Sequence, residues 1–505
     1  MELYAGLLNA LPTTSPDFAC LRTRRELLFG WEYRVKKLAL AFLFFMLAFP
    51  PAAATTYYLA PAAAGGRDAN NGTSTVTPWL TPNHPLNCRD VILAAPGAYA
   101  EENFRPGQWG VVTCPTGNDV AWLKCATFDA CKINISSASH NAMTPTESYW
   151  GIQGWEVTAS YLSGNQCFEA YPPDLTHTIH HIIFANNIAN GCGDGGFTSG
   201  ASAANVGTDY IVIIGNIAYN AAQDNANCYS GIDVTVPVNS DTTPGTHIYI
   251  AGNFVWGNVD PNPCSHTVPT DGQGINVDTV NEYSYSGQIV IDNNISVFNG
   301  AAGIQSFLNR GSSPNARIYI RYNTVYGNQN GRVNANPCAE INLNHSLSST
   351  VYSNLVKTGA ATGCRGTIGI YAIGVTSGDS TDVIYGNALY SVAGNNISGA
   401  TGGPGNLTGT NPNFVNPVLP SAPNCSNASS VPNCMATVIA NFTPRSAAST
   451  AYGYQPPVSY STYDPLFPQW LCNVNLPAGL VTMGCLAQSS VQPSTATTGL
   501  EVFNR

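Results

Sequence analysis

The stretch IVIIGNIAYN, Ile211 to Asn220, is two apolar runs hinged at one Asn, and the pattern returns along the chain. It reads IIFANNIAN from Ile182, IYIAGNFVWGN from Ile248, IVIDNNISVFN from Ile289, IYIRYNTVYGN from Ile318, TVYSNLV from Thr350 and DVIYGNALY from Asp382. The hinges are Asn187, Asn216, Asn253, Asn294, Asn323, Asn354 and Asn387, 29 to 41 positions apart, a period that belongs to solenoids. Successive coils of such a stack lie about 4.8 Å apart. An amide at each hinge then reaches its equivalents above and below and satisfies backbone that burial would leave unpaired. The seven Asn residues are expected to be structural.

Between the hinges lies a second short strand: GIDVT at Gly231, GINVD at Gly274, GIQSF at Gly303, EINLN at Glu340 and GIYAI at Gly369. Period-two alternation turns Ile232, Val234, Ile275 and Val277 inward. The first outward column then holds Asp233, Asn276, Gln305 and Asn342, and the next holds Thr235, Asp278, Phe307 and Asn344.

Coils of short strands with Asn at a bend resemble the pectate-lyase-like β-helix repeat proteins. The likeness runs from TTYYLAP (Thr55 to Pro61), similar to their usual mature start, to about Gly394. The segment TDGQGINVD (Thr270 to Asp278) and the Asn-rich coil after it are similar to a secreted bacterial subgroup with a D-G-x-G-I-x-x-D element. The resemblance implies an all-β fold, a right-handed parallel β-helix with an N-terminal cap and a disulfide-stapled C-terminal tail. It does not fix the activity, because the fold carries lyases, hydrolases, epimerases and phage tailspikes. The expected organisation is a leader over 1–54, cap and first coils over 55–160, central coils over 161–400 and a tail over 401–505 that wraps the solenoid.

Composition agrees. Asp, Glu, Lys and Arg make up 10% of the chain, against about 25% in ordinary globular proteins, and good helix formers are scarce. Lys36 and Lys37 precede the apolar run LALAFLFFMLAF and the small residues Ala52 to Ala54, which reads as a secretory signal cleaved after Ala54. The run is shorter than the roughly 20 residues that span a bilayer, so no membrane span is expected after cleavage. Cleavage removes six basic and four acidic residues and takes the net charge from −10 to −12. A chain of that charge without Lys/Arg runs excludes nucleic acid as a partner. Of 15 Cys, 14 remain after the leader, an even number suited to disulfides outside the cytoplasm, with Cys425/Cys434 and Cys472/Cys485 as close pairs.

The outward columns name the candidate site for an extracellular polysaccharide, with Asn276, Gln305, Phe307, Asn342, Asn344 and His345 as substrate-binding residues. Asp233 and Asp278 sit one coil and two residues apart, a Cα separation of roughly 8 Å, which suits the about 6.5–9.5 Å of inverting glycosidases. Together with Asp224 and Asp271 these acids also suit Ca²⁺, which would neutralise a uronate carboxylate. His266, in the loop before this rung, and Arg310, after the next strand, complete the acid–base candidates. In the resembling lyases Arg or Lys takes the C5 proton and Ca²⁺ stabilises the enolate. The chain lacks their clear signature strand. The leading expectation is cleavage of an acidic polysaccharide by β-elimination, with inverting hydrolysis and non-catalytic glycan binding as alternatives. Arg317 and Arg321 are expected in solvent. HTIHH (His177 to His181) enters a strand where neighbours face opposite ways, which argues against a metal site there.

Overall fold

Strands of two to seven residues form through the Ile, Val and Phe runs, and the residue before each hinge Asn turns the corner. Asn186, Gly215, Gly252, Asn293, Tyr322, Ser353 and Gly386 all have φ between 52° and 64°. Gly and Asn adopt that left-handed conformation at little cost. Tyr322 and Ser353 do so because the next coil holds them.

The computed structural model describes residues 54–476, apart from 116–118, 138–140, 161–163, 225–226, 263–268, 309–315, 331–337, 360–370, 376–380, 447–451, 456–463 and 475. One coil runs through Thr208–Ile214, the Asn216 corner, Ile217–Tyr219 and Ile232–Thr235, and reaches Thr246–Ala251 one storey up. Each strand pairs in parallel with its successor. The described residues thus make three long parallel sheets, of 11 strands (the first, with Thr208–Ile214), 11 strands (the second, with Ile217–Tyr219) and 8 strands (the third, with Ile232–Thr235), besides a two-stranded one near the N-terminal end, Leu86–Asn87 with Val112–Thr113. This is a parallel β-helix with the right-handed turn that parallel crossovers take. Its interior is filled by Ile211 and Ile213 from the first sheet, Ala218 from the second, and Ile232 and Val234 from the third, repeated coil after coil.

All seven hinge amides stack. Each Nδ2 donates to the next Asn Oδ1, at 3.3 Å from Asn187 to Asn216, 3.1 Å to Asn253 and 2.9 Å on to Asn294, Asn323, Asn354 and Asn387. Asn406 extends the column by one more place at 3.1 Å. A second column, Asn258, Asn299 and Asn328, stands at the corner between the second and third sheets and ends on the Glu340 carboxylate.

The tail covers the outer faces of two sheets. Phe467, Trp470, Leu471 and Val474 pack on Val212, Tyr249 and Val290 of the first sheet. Phe414, Val431, Met435 and Phe442 pack beside Phe254, Trp256 and Val297 of the second. This cover corrects the expectation for Arg321, which is buried between Asp292, at 2.8 Å, and Asp464 of the tail. Arg317 is exposed as expected. Removing the Arg321 guanidinium strands two carboxylates, so Arg321→Ala is expected to lose about 3–5 kcal/mol, read as a lower denaturation midpoint.

Every described cysteine is disulfide-bonded. The pairs include Cys88–Cys114, Cys125–Cys131, Cys167–Cys192 and, in the tail, Cys425–Cys434 as expected. Cys485 lies outside the described residues. None of the described helices is long and apolar enough to cross a membrane.

Candidate active site

The third sheet has the register read from the sequence. Asp233 pairs with Asn276, Asn276 with Gln305 and Gln305 with Asn342, while Thr235 pairs with Asp278, Asp278 with Phe307 and Phe307 with Asn344. The two columns differ in access. Asp233 (1% exposed), Asn276, Gln305 and Asn342 are buried although they point away from the interior. They bond one another: Asn342 Nδ2 to Gln305 Oε1 at 2.9 Å, Gln305 Nε2 to Asn276 Oδ1 at 3.2 Å, and Asn276 Nδ2 to Asp233 Oδ2 at 3.2 Å. Thr235, Asp278, Phe307, Asn344 and His345 are half-exposed.

Asn276 Nδ2 also reaches Asp278 Oδ2 at 3.4 Å. One amide nitrogen therefore bridges both carboxylates. Its two bonds cap the separation of those oxygens at about 6.6 Å, the short edge of the roughly 6.5–9.5 Å span of inverting pairs. Asp271 is buried beside them and accepts from the Thr270 hydroxyl at 2.7 Å, while Asp224 accepts from Asn262 Nδ2 at 3.0 Å. Among the described residues no three His, Cys, Asp or Glu side chains converge to hold a metal ion. His266 and Arg310 lie outside the described residues.

The column extends two coils further toward the N-terminus than the sequence reading took it. Phe168–Ala170 and Phe197–Ser199 continue the sheet and put Glu169 and Thr198 in line with Asp233. Tyr171 then falls in the second column, its ring 3.8 Å from where a Cβ on Gly200 would stand. These strands, FEA and FTS, lack the Gly-Ile opening of the later ones. The Phe that opens both strands in place of Ile, and the Gly on either side of FTS, are the signal that could have placed them.

Burial sets the charge of this surface. The Asp233 carboxyl is held well above the usual carboxylate range by burial and then by the charges of Asp278 and Asp271, against bonds from Thr235 and Asn276. Burial also raises Asp278, where hydrogen bonds from Thr279 and Asn276 oppose it. Glu169 is pushed up to about 7 by burial and the Asp194 charge, and Asp260 to about 7 by burial and Asp271. Glu169 and Asp260 are thus largely protonated below neutral pH. Carboxyls of the unfolded chain titrate near about 4. The stability these raised groups contribute is full below that value and is lost as pH rises through about 7. His181, buried and lowered to about 3, and His180, also lowered by burial, pull the other way below their unfolded value, but they are two groups against several. The melting temperature is therefore expected to fall from pH 5.5 to 8, and a rise over that range would contradict these assignments.

No family model and no curated protein matches the chain. Among solved structures it is similar to a pectate lyase at 17% identity, over 66% of this chain and 79% of that one, with a TM-score of 0.40. It is similar to the A-module of an Azotobacter vinelandii mannuronan C-5 epimerase at 14% identity, over 62% and 88%, with a TM-score of 0.29. It is also similar to a polysaccharide lyase from Pseudopedobacter saltans at 10% identity, over 68% and 95%, with a TM-score of 0.23. The strand order of the chain itself, rather than these matches, makes it a parallel β-helix protein.

Proposed function

We propose that the chain is a secreted, carbohydrate-active β-helix protein that cleaves an acidic polysaccharide by β-elimination on the outer face of its third sheet, with Asp278 as the base. The supporting observation is the unequal access of the bridged pair: Asp278 is half-buried, whereas Asp233 behind it is fully buried, which raises its carboxyl well above the usual range. Hydrolysis by two carboxylates needs both at the scissile bond. Elimination needs one base. Asp278 takes the C5 proton of a uronate residue, the C4–O4 bond breaks as the C4–C5 double bond forms, and the leaving O4 takes a proton from water.

The protonation of Asp233, Glu169 and Asp260 lowers the repulsion that a uronate would otherwise meet, and it parallels other sites where a buried carboxylic acid is kept neutral beside a working base. Phe307, beside Asp278 on the next rung, and Tyr171 offer ring faces to sugar. The disulfides fit an oxidising compartment.

The test is digestion of a panel of uronate polysaccharides by the full secreted chain, with Ca²⁺ and with chelator, following absorbance of unsaturated ends. Unsaturated ends are expected, with KM rising above pH 7 as Glu169 and Asp260 ionise. Calcium-dependent product would add the metal that the acids suit. Reducing ends without unsaturation would replace elimination by hydrolysis, and binding without product would leave a glycan-binding protein.

A further inference from the structure

A cavity of about 540 Å³ lies away from the third sheet, against the outer face of the first. Its floor is Tyr149, His180, His181 and Tyr210, one rim is the loop 240–245, and the tail residue Trp470 stands at the other. The floor comes from a repeated irregularity. Strand Ile179–Ala185 pairs His180 with Asp209 and then Ile182 with Ile211, so His181 and Tyr210 drop out of the register. Tyr149, His181 and Tyr210 have φ of 69°, 59° and 49° in successive coils, a costly conformation for bulky residues. The alternation expected of HTIHH does not hold here: His180 and His181 bring their Nδ1 atoms within 2.9 Å. The rings stack one per coil, with centroids 5.0 Å apart from Tyr149 to His181, 4.4 Å on to Tyr210 and 3.9 Å on to His247. Trp470 stands across the stack, at 68° to His181 and 88° to Tyr210.

The lining selects by charge. No Lys or Arg lines the cavity, and Asp241 keeps its charge at the rim through bonds from the Tyr210 hydroxyl and the Thr243 N–H, each at 2.8 Å. An anion is therefore excluded. An organic cation would need ring faces, but the stacked rings turn their faces to one another and leave edges for the cavity, and ring edges carry the positive part of the quadrupole. What remains is an uncharged ligand that offers C–H surface together with hydroxyls. The Trp470 ring supplies an apolar wall, and the Asp241 carboxylate at the rim supplies an acceptor for a hydroxyl. The volume is that of a small-molecule site.

We propose that this cavity binds one uncharged pyranose residue of a glycan, independently of the chemistry on the third sheet. The loop 240–245 joins Ile232–Thr235 to Thr246–Ala251, so the cavity shares a coil with Asp233.

The experiment titrates the full secreted chain with methyl glycosides of glucose, galactose, mannose and xylose, read by saturation-transfer NMR and Trp fluorescence. At least one is expected to bind in the millimolar range, with affinity about tenfold lower or worse, 1.4 kcal/mol, in Trp470→Ala. Thr243→Trp fills the mouth from an exposed position and leaves the tail seated, so it decides the matter if Trp470→Ala fails to fold. Asp278→Asn leaves this binding unchanged, which separates it from the candidate active site. The proposal is overturned if no glycoside binds, if binding survives Thr243→Trp in a folded protein, if it is lost in Asp278→Asn, or if methyl galacturonate or tetramethylammonium competes at equal concentration.

Discussion

Turnover of a uronate polysaccharide falls by about 10²-fold or more in Asp278→Asn, the usual loss for a removed acid–base group, while thermal stability at pH 7 holds or rises. Stability holds because burial opposes the charge of Asp278 in the folded protein, and an amide carries none. Asp233→Asn gives the contrast that decides the chemistry. An Asn there resembles the protonated acid that the site already favours, so elimination should lose no more than about tenfold, the equivalent of one hydrogen bond. A pair mechanism would lose both activities alike. Steady-state kinetics of the two variants, with melting curves as the control for folding, separate these outcomes; full activity in Asp278→Asn would remove Asp278 as the base.

Asn294→Ala, in the middle of the hinge column, is expected to be strongly destabilising. The side chain accepts from the Asn253 N–H and Nδ2, both at 2.9 Å, and donates to the Ile250 carbonyl at 3.0 Å. Truncation leaves these three buried groups unpaired at about 1–3 kcal/mol each, a total loss of about 3–9 kcal/mol, against a whole-protein stability of about 5–15 kcal/mol. Asn406, half-exposed at the end of the column, serves as the reference. Urea midpoints should drop several times further for Asn294→Ala than for Asn406→Ala, and equal drops would mean that the column does not carry the coil.

Hinge and register were legible because both are local. An Asn between two apolar runs marks the corner, and counting by twos from Ile232 or Ile275 reaches Asp233 and Asp278 without knowledge of the rest of the chain. Burial was not legible in the same way. Whether Asp233 or Arg321 meets solvent depends on what crosses the outer faces, and for Arg321 that is Asp464, 143 positions away. Period-two counting also failed at His181, where an irregularity repeated across coils turns neighbouring side chains to one side. Glu169 was missed because its strand is short and opens without the Gly-Ile of the later rungs.

The tail joins residues far apart in the chain: Thr246 donates to the Leu466 carbonyl across 220 positions, and Gln455 to Asn293 across 162. Coils need only their neighbours and can form as the nascent chain emerges, whereas this closing strap is synthesised only after the coils it covers. Until it docks, the stripe of Val212, Tyr249 and Val290 is bare and sticky, a hazard for the new chain that a chaperone would have to shield. A protease that trims the finished tail would therefore do two things at once: open the cavity walled by Trp470 and bare an apolar stripe through which copies can associate, with the carboxylates of the third sheet still in place.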